Sequence, residues 1–270
     1  MFRTAVCCMT RDAPDLPFWI AYHLRYFDRI FLRVEGGKRP PEDDRVVVVD
    51  TTEPEDGGLL RQQERQRDFV DLCVRRVART HGVRYLLHID DDELFVMEPR
   101  WRDAGSLLRT LAWSGATHAR IQNHEAVFRV DPGDAGATPY FTDARIVFRD
   151  GARSAFMRGY RNGKSVCDTF HQPRCTGCHT FEGSHIILRE AVILHFDCLD
   201  FVRWQNKFLR IREITGLLPF YGRSVRAVRT GDEHEQRRVW LGGVVVRDRE
   251  PLLLMEWIRH ADRENSAPGS

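Results

Sequence analysis

Leu86-Leu87-His88-Ile89-Asp90-Asp91-Asp92-Glu93-Leu94 is the stretch whose reading decides the fold. An apolar run of strand length ends in four consecutive acids. In open α/β sheets the carboxyl ends of the strands are where ligands bind. In an extended segment Asp90 and Asp92 point one way and Asp91 the other. Adjacent carboxylates repel unless something neutralises them. A divalent cation with oxygen ligands does so, and Mg²⁺ or Mn²⁺ takes one or two carboxylates and fills its remaining positions with water and phosphate oxygens. The plain alternative is a solvated acidic turn that happens to follow a strand.

Upstream of this stretch the pattern alternates. Residues 3–9 form the short apolar run of a buried strand. Residues 14–26 carry Leu16, Ile20 and Leu24 at helical spacing, continued by Phe27, with Asp12 and Asp15 available as caps. Residues 29–34 alternate like a second strand, and 45–49 are a β-branched run suited to a buried parallel strand that ends at Asp50. Residues 59–80 read as a long, polar-rich helix turning Leu60, Phe69, Leu72, Cys73 and Val77 inward, closed by Gly82 as a left-handed cap. Strand, helix, strand, strand, helix, strand predicts an α/β fold with a mixed, mostly parallel central sheet. Downstream the pattern predicts helices over 103–114, 199–215 and 232–240, strands over 117–122 and 144–149, and a hairpin of 185–188 and 191–196 around Arg189-Glu190. Residues 262–270 read as a polar tail.

The chain has 270 residues, 42% apolar and 30% charged. That supports a substantial core and excludes a disordered or fibrous protein. Lys plus Arg is 41 against 39 acids, a formal charge of +2. This balance argues against coating nucleic acid by bulk charge, so no nucleic-acid partner is expected. Only Lys38, Lys164 and Lys207 are lysines; the other basic residues are arginine, the habit of a GC-rich genome, although guanidinium forks also suit phosphates. No segment approaches the ~18 apolar residues of a membrane helix, and residues 1–9 lack a signal-peptide pattern. The expectation is a cytoplasmic protein with no transmembrane segment, its seven cysteines reduced.

Three stretches carry a resemblance. The string from Leu86 to Phe95, a strand ending in Asp-X-Asp-Glu, resembles the metal and nucleotide-sugar segment of GT-A glycosyltransferases, in the form found in the family 2-like and family 92-like enzymes. Phe18-Trp19-Ile20-Ala21-Tyr22-His23 is similar to the "Glu-Trp-X-X-Tyr-His" helix with which those proteins follow their first strand, with Phe18 in place of Glu. Arg11-Asp12 stands where they have Asn-Glu. Val192-Ile193-Leu194-His195-Phe196, followed by Phe201, Trp204 and Lys207, is similar to their strand, histidine and aromatic helix. The three stand in the family order and cover about residues 4–207. Where the family has an Asp-Asn-X-Ser-X-Asp segment, this chain reads Val34-Glu35-Gly36-Gly37-Lys38, with Glu35 as the acid.

The resemblance implies one GT-A (Rossmann-like) domain over 1–260, with a nucleotide-binding half at 1–95, an acceptor half at 96–260 and a flexible tail at 261–270. It implies transfer of a sugar from a nucleotide-sugar donor, most commonly a UDP-sugar, to a glycan or other hydroxyl acceptor. Mn²⁺ or Mg²⁺ would be the cofactor, stabilising the diphosphate leaving group. Asp92 is the expected direct metal ligand. Asp90 contacts the metal through water or the ribose, and His195, with His179 second, completes the metal site. Asp12, Glu35, Gln66, Asp90, Asp91 and Lys164 are the expected donor-binding residues, with Gln62 and Gln63 on the same helix as Gln66. Inversion needs a carboxylate to deprotonate the acceptor; Glu125, Asp143 and Asp168 are the candidates. The stretch Arg153, Arg158, Arg161 and Lys164 could hold a diphosphate or stand as a solvated face.

Cys167, His171, Cys175, Cys178 and His179 lie close in sequence. Cys175-Thr176-Gly177-Cys178-His179 matches the c-type haem attachment string, a chemistry at odds with the absence of an export signal. A tetrahedral zinc site or a set of buried thiols are the other readings. A metal-dependent nuclease or phosphohydrolase built on the acidic cluster is the competing enzyme class, with Asp50 and Glu35 as further acids. A non-catalytic cation-binding module is the third reading.

Overall fold

The computed structural model describes residues 3–11, 13, 15–36, 39–52, 58–98, 100–128, 141, 146–150, 163–177, 179–211 and 218–241. The chain divides into two compact units interleaved along the sequence. The first comprises Met1–Gln122 and Asn162–Ile193, the second Asn123–Arg161 and Leu194–Ser270. The expected boundary at residue 95 falls inside a strand of the first unit.

The first unit is a mixed α/β sheet. Its strands are β1 (Arg3–Thr10), β2 (Arg29–Glu35), β3 (Val46–Thr52), β4 (Val83–His88), β5 (Glu93–Met97) and β8 (Lys164–Asp168), with the opening parts of β6 (His118–Phe128) and β11 (His185–His195). The order is β3-β2-β1-β4-β8-β6-β11-β5. β3, β2, β1 and β4 pair in parallel, so their carboxyl ends lie along one edge. β8 is antiparallel to both β4 and β6. Leu87 pairs with Val166 and Tyr85 with Asp168, which puts Lys164 at the edge where β4 ends and Asp168 at the opposite edge. β1 and β4 are interior strands buried on both faces over most of their length, which is why Ala5 to Met9 and Tyr85 to Leu87 read as apolar runs.

α1 (Leu16–His23) starts with proline in its first turn, where the missing N–H costs nothing. α2 (Gly58–Leu72) runs through a π-helical turn at Cys73–Val77 into α3 (Ala78–Thr80). Gly82 at φ +65° follows, as the cap reading expected. Phe69, Val70, Cys73 and Val74 pack on Ala5, Cys7, Phe31 and Leu86 of the sheet. Leu72 and Val77 are half-buried, because the apolar stripe runs through Val70 and Val74 instead. α4 (Ala104–Ser114) is capped by Asp103, whose carboxylate accepts the Ser106 N–H at 2.6 Å, and ends at Gly115 with φ +67°.

The predicted hairpin around Arg189-Glu190 is instead one continuous strand, β11. The polar pair sits at exposed and half-exposed positions of that strand, and the Glu190 carbonyl accepts the Glu98 N–H at 2.9 Å. A short hairpin, β9 (Cys175–Thr176) with β10 (Thr180–Phe181), packs beside α2.

In the second unit β7 (Ile146–Asp150) pairs antiparallel with the end of β6, His124 to Phe128. Among the described residues, the helices that follow are α5 (Phe201–Ile211), α6 (Leu218–Thr230) and α7 (Glu233–Leu241). Phe201 and Trp204 stack with ring centroids 5.9 Å apart, and Trp240 donates its indole N–H to the Cys198 carbonyl at 3.1 Å. The Arg237 guanidinium lies 4.1 Å from the Phe201 ring centroid.

Candidate functional site

In the first unit the acidic segment leaves β4 at the carboxyl edge of the parallel strands. It makes a tight turn, with the Glu93 N–H bonding the Asp90 carbonyl at 3.1 Å, and enters β5. The turn places each acid in a different environment. Both oxygens of Asp90 are engaged: Gln66 on α2 donates to one at 2.7 Å, and Lys164 Nζ lies 2.5 Å from the other. Lys164 also lies 3.1 Å from Glu93, whose carboxylate accepts the Asp90 N–H at 2.8 Å. Lys164 is 1% exposed and Glu93 0%. Burial opposes the ammonium charge, but the two carboxylates more than reverse this and hold Lys164 charged well above the usual lysine range. Burial likewise works against the Asp90 charge, and the Lys164 ammonium overcomes it, so Asp90 stays ionised well below the usual carboxylate range.

Asp91 behaves oppositely. Burial and the neighbouring Asp92 charge push its carboxyl up to about 7, although Thr10 at the end of β1 donates to it at 2.7 Å. Asp92 is half-buried at the turn. Glu35, at the end of β2, is buried and held by both ends of the Arg65 fork at 2.8 and 3.1 Å. Beside it Arg33 clasps Asp50 of β3 at 2.6 Å. Burial, with the Lys164 charge adding to it, drives the His179 imidazole down to about 3, so the ring is neutral; its Nδ1 lies 3.2 Å from the Gly163 carbonyl. Asp90, Gln66, Lys164, Glu93, Asp91 and Thr10 thus come together. Gln62 is exposed and Gln63 half-buried on α2.

Trp19, Tyr22 and His23 are structural. The Trp19 indole N–H donates to the Glu93 carbonyl at 2.8 Å and the Tyr22 hydroxyl to the Phe95 carbonyl at 3.0 Å. His23 Nδ1 lies 2.8 Å from the Trp19 carbonyl, and its Nε2 accepts the Phe95 N–H at 3.2 Å. One turn of α1 therefore fastens β5, the strand that fixes where the acidic turn comes to rest.

Asp168 is at the far edge of the sheet. Its carboxylate takes Arg84 at 2.9 Å and caps the Phe170 N–H at 3.1 Å. Cys167 and Cys175 belong to the apolar cluster under α2, while His171 is exposed. Among the described residues these thiols and imidazoles do not gather into a group of three metal-ligating side chains.

In the second unit His195 ends β11 and is buried with Glu125 of β6. Its Nδ1 lies 2.8 and 2.9 Å from the two Glu125 oxygens, and Asn123 donates to one of them at 3.1 Å. A ring nitrogen of His195 and a carboxylate oxygen of Asp197 are within 4.8 Å of each other. Lys207, the lysine of the aromatic helix, pairs with Asp197. Asp12, Asp143, Arg153, Arg158, Arg161, Lys38 and Cys178 lie outside the described residues.

No family model matches the chain, and no curated protein does. Among solved structures, the chain is similar to the mannosyltransferase Ktr4p from S. cerevisiae, with 8% identity and a TM-score of 0.25 over 47% of this chain and 40% of that one. The same protein in complex with GDP gives 9% identity and a TM-score of 0.27 over 47% and 41%. The match spans less than half the length of either chain, and at these scores it decides neither fold family nor activity. Among the described residues, no helix is long and apolar enough to cross a membrane.

The sequence reading missed two strands of this site. β5 follows the acids with no turn residue between, because the acids themselves make the turn. β8, which brings Lys164 to the segment, is a five-residue strand that is buried throughout.

Proposed function

We propose that the chain is a metal-dependent glycosyltransferase of the GT-A type, moving a sugar from a nucleoside-diphosphate donor, in the first instance a UDP-sugar, to a hydroxyl of a glycan with inversion. The observation that carries this reading is the acidic turn at the carboxyl edge of a parallel α/β sheet. There Asp92 is half-buried at the turn, and Thr10, Gln66 and Lys164 converge on its neighbours. The donor set fits a hard divalent cation, since the turn offers carboxylate oxygens and no thiolate.

Asp92 would hold Mn²⁺ or Mg²⁺, with water and diphosphate oxygens completing the shell. Such an ion supplies charge neutralisation to the leaving diphosphate. Glu35 at the end of β2, with Arg65 and Gln66 in the middle of α2, would orient the nucleotide. Lys164 fixes Asp90, and Trp19, Tyr22 and His23 fix the strand beyond, so the turn keeps its shape before a donor arrives. For the base, Glu125 and Asp143 stay proposed. Asp168 leaves the set, because it sits at the opposite edge from the acidic turn with its carboxylate on Arg84.

The test is a donor panel. Purified protein is incubated with UDP-, GDP- and dTDP-sugars and Mn²⁺, and nucleoside-diphosphate release is followed with and without glycan acceptors. One donor class should turn over, with a loss of roughly 100-fold on EDTA treatment or in Asp92→Asn. Turnover untouched by both would refute the metal role of the acidic turn; no turnover of any donor would refute the glycosyltransferase reading.

A further inference from the structure

A buried lysine among carboxylates calls for an explanation, because an ammonium is costly to bury without partners. Lys164 is one of three lysines in the chain and is 1% exposed. It is the first residue of β8, delivered to the acidic turn by the antiparallel pairing of β8 with β4. Its Nζ sits 2.5 Å from Asp90 and 3.1 Å from Glu93. The second Asp90 oxygen takes the Gln66 amide at 2.7 Å, and the Glu93 carboxylate also accepts the Asp90 N–H at 2.8 Å. Asp91 turns the other way and accepts from Thr10. Two of the four acids therefore already share an internal cation, and one of them has both oxygens engaged.

From this geometry we infer that Lys164 is a built-in counter-ion that withdraws Asp90 and Glu93 from metal binding. The segment's ligand for a divalent cation is Asp92. The first acid of the Asp-X-Asp motif then serves as a brace, with Lys164 and Gln66 as its two supports. Lys164 is a positioning residue rather than a diphosphate-binding one. Without it, Asp90 and Glu93 would face each other as like charges and recruit a cation from solution. The inference rests on the metal reading above, but its central claim concerns what Lys164 suppresses, which is measurable without any donor.

The experiment is Mn²⁺ titration of EDTA-stripped protein, read by electron paramagnetic resonance of free Mn²⁺ and by thermal shift. It is run with and without UDP on the wild type, Asp90→Asn, Asp92→Asn and Lys164→Met. The expected results are a loss of about 30-fold or more in Mn²⁺ affinity for Asp92→Asn, a change within about threefold for Asp90→Asn, and a gain of about tenfold for Lys164→Met without UDP, the gain expected when two carboxylates lose their internal cation. An Asp90→Asn loss as large as that of Asp92→Asn, or a Lys164→Met affinity equal to wild type, overturns the inference. Mn²⁺ binding by Lys164→Met alone, with none by the wild type, supports the counter-ion role and refutes the metal dependence of the native site. No binding by either overturns both. Should Lys164→Met fail to fold, the double variant Lys164→Gln with Glu93→Gln removes one charge of each sign; its Mn²⁺ affinity is compared with Glu93→Gln alone, with a smaller gain of about threefold expected, since only Asp90 is released, and equality counting against the inference.

Discussion

His23 offers a perturbation whose size follows from its surroundings. The ring is fully buried between α1 and β5. Its Nδ1 faces the Trp19 carbonyl at 2.8 Å, and its Nε2 accepts the Phe95 N–H at 3.2 Å. With Nε2 serving as acceptor, a second proton has nowhere to bond. Burial drives the ring from the usual 6.5 down to about 3. Because the folded value is depressed, the unfolded chain binds the extra proton first. The stability that the neutral ring contributes is present above the unfolded value of 6.5 and is lost as pH falls toward 3. At about 1.36 kcal/mol per unit, wild type should lose about 2.5 kcal/mol from this group alone between about pH 7 and about pH 4.5. His23→Gln keeps a donor and an acceptor of similar reach and does not titrate. It should cost about 1–2 kcal/mol near neutrality through imperfect packing and remove the 2.5 kcal/mol component of the pH slope. Urea unfolding followed by far-ultraviolet circular dichroism at the two pH values, on both proteins, measures it. His179 and His118 titrate in the same window in both proteins and cancel in the difference. Equal pH slopes for wild type and His23→Gln would refute the reasoning.

Two further perturbations test other parts of the molecule. Glu125→Ala removes a hydrogen-bond partner from the buried His195 and should destabilise the second unit by roughly 3 kcal/mol, while Glu125→Gln should cost about half as much, since one hydrogen bond to His195 survives; tryptophan fluorescence during urea unfolding reads the difference, and equal costs would argue against that surviving hydrogen bond. Gly183 sits at φ +105°, and a Cβ there would lie 2.5 Å from the Thr117 hydroxyl oxygen. Gly183→Ala should therefore lower stability by about 2 kcal/mol, checked by thermal unfolding; an unchanged midpoint would mean that the turn relaxes.

The parallel half of the sheet was legible because interior strands announce themselves. β1 and β4 are buried on both faces over most of their length, so Ala5 to Met9 and Tyr85 to Leu87 run apolar up to their ligand-binding ends. The long helix and its glycine cap were legible for the same kind of reason, a periodic stripe followed by a residue able to take positive φ. β11 was misread because Arg189-Glu190 resembles a turn, although a strand can carry both residues at its solvated positions. The acidic segment was legible as a charge cluster at a sheet edge. Its internal cation was not, because Lys164 lies 74 residues from Asp90 and meets it only through the pairing of β8 with β4. The Trp19, Tyr22 and His23 pattern was visible as a motif, but its work is to fasten β5 behind the acidic turn, and that becomes evident only once β5 is known to exist.

The central claim is that the acidic turn binds a nucleoside diphosphate through a divalent cation held by Asp92. Thermal unfolding with UDP, GDP or dTDP, each with Mn²⁺ or with EDTA, tests it without any assumption about sugar or acceptor. One nucleotide with Mn²⁺ should raise the midpoint, by the equivalent of about 2.7 kcal/mol at a hundredfold excess over Kd, and the rise should vanish in EDTA and in Asp92→Asn. No shift with any nucleotide, or a shift that survives both EDTA and Asp92→Asn, would contradict the account.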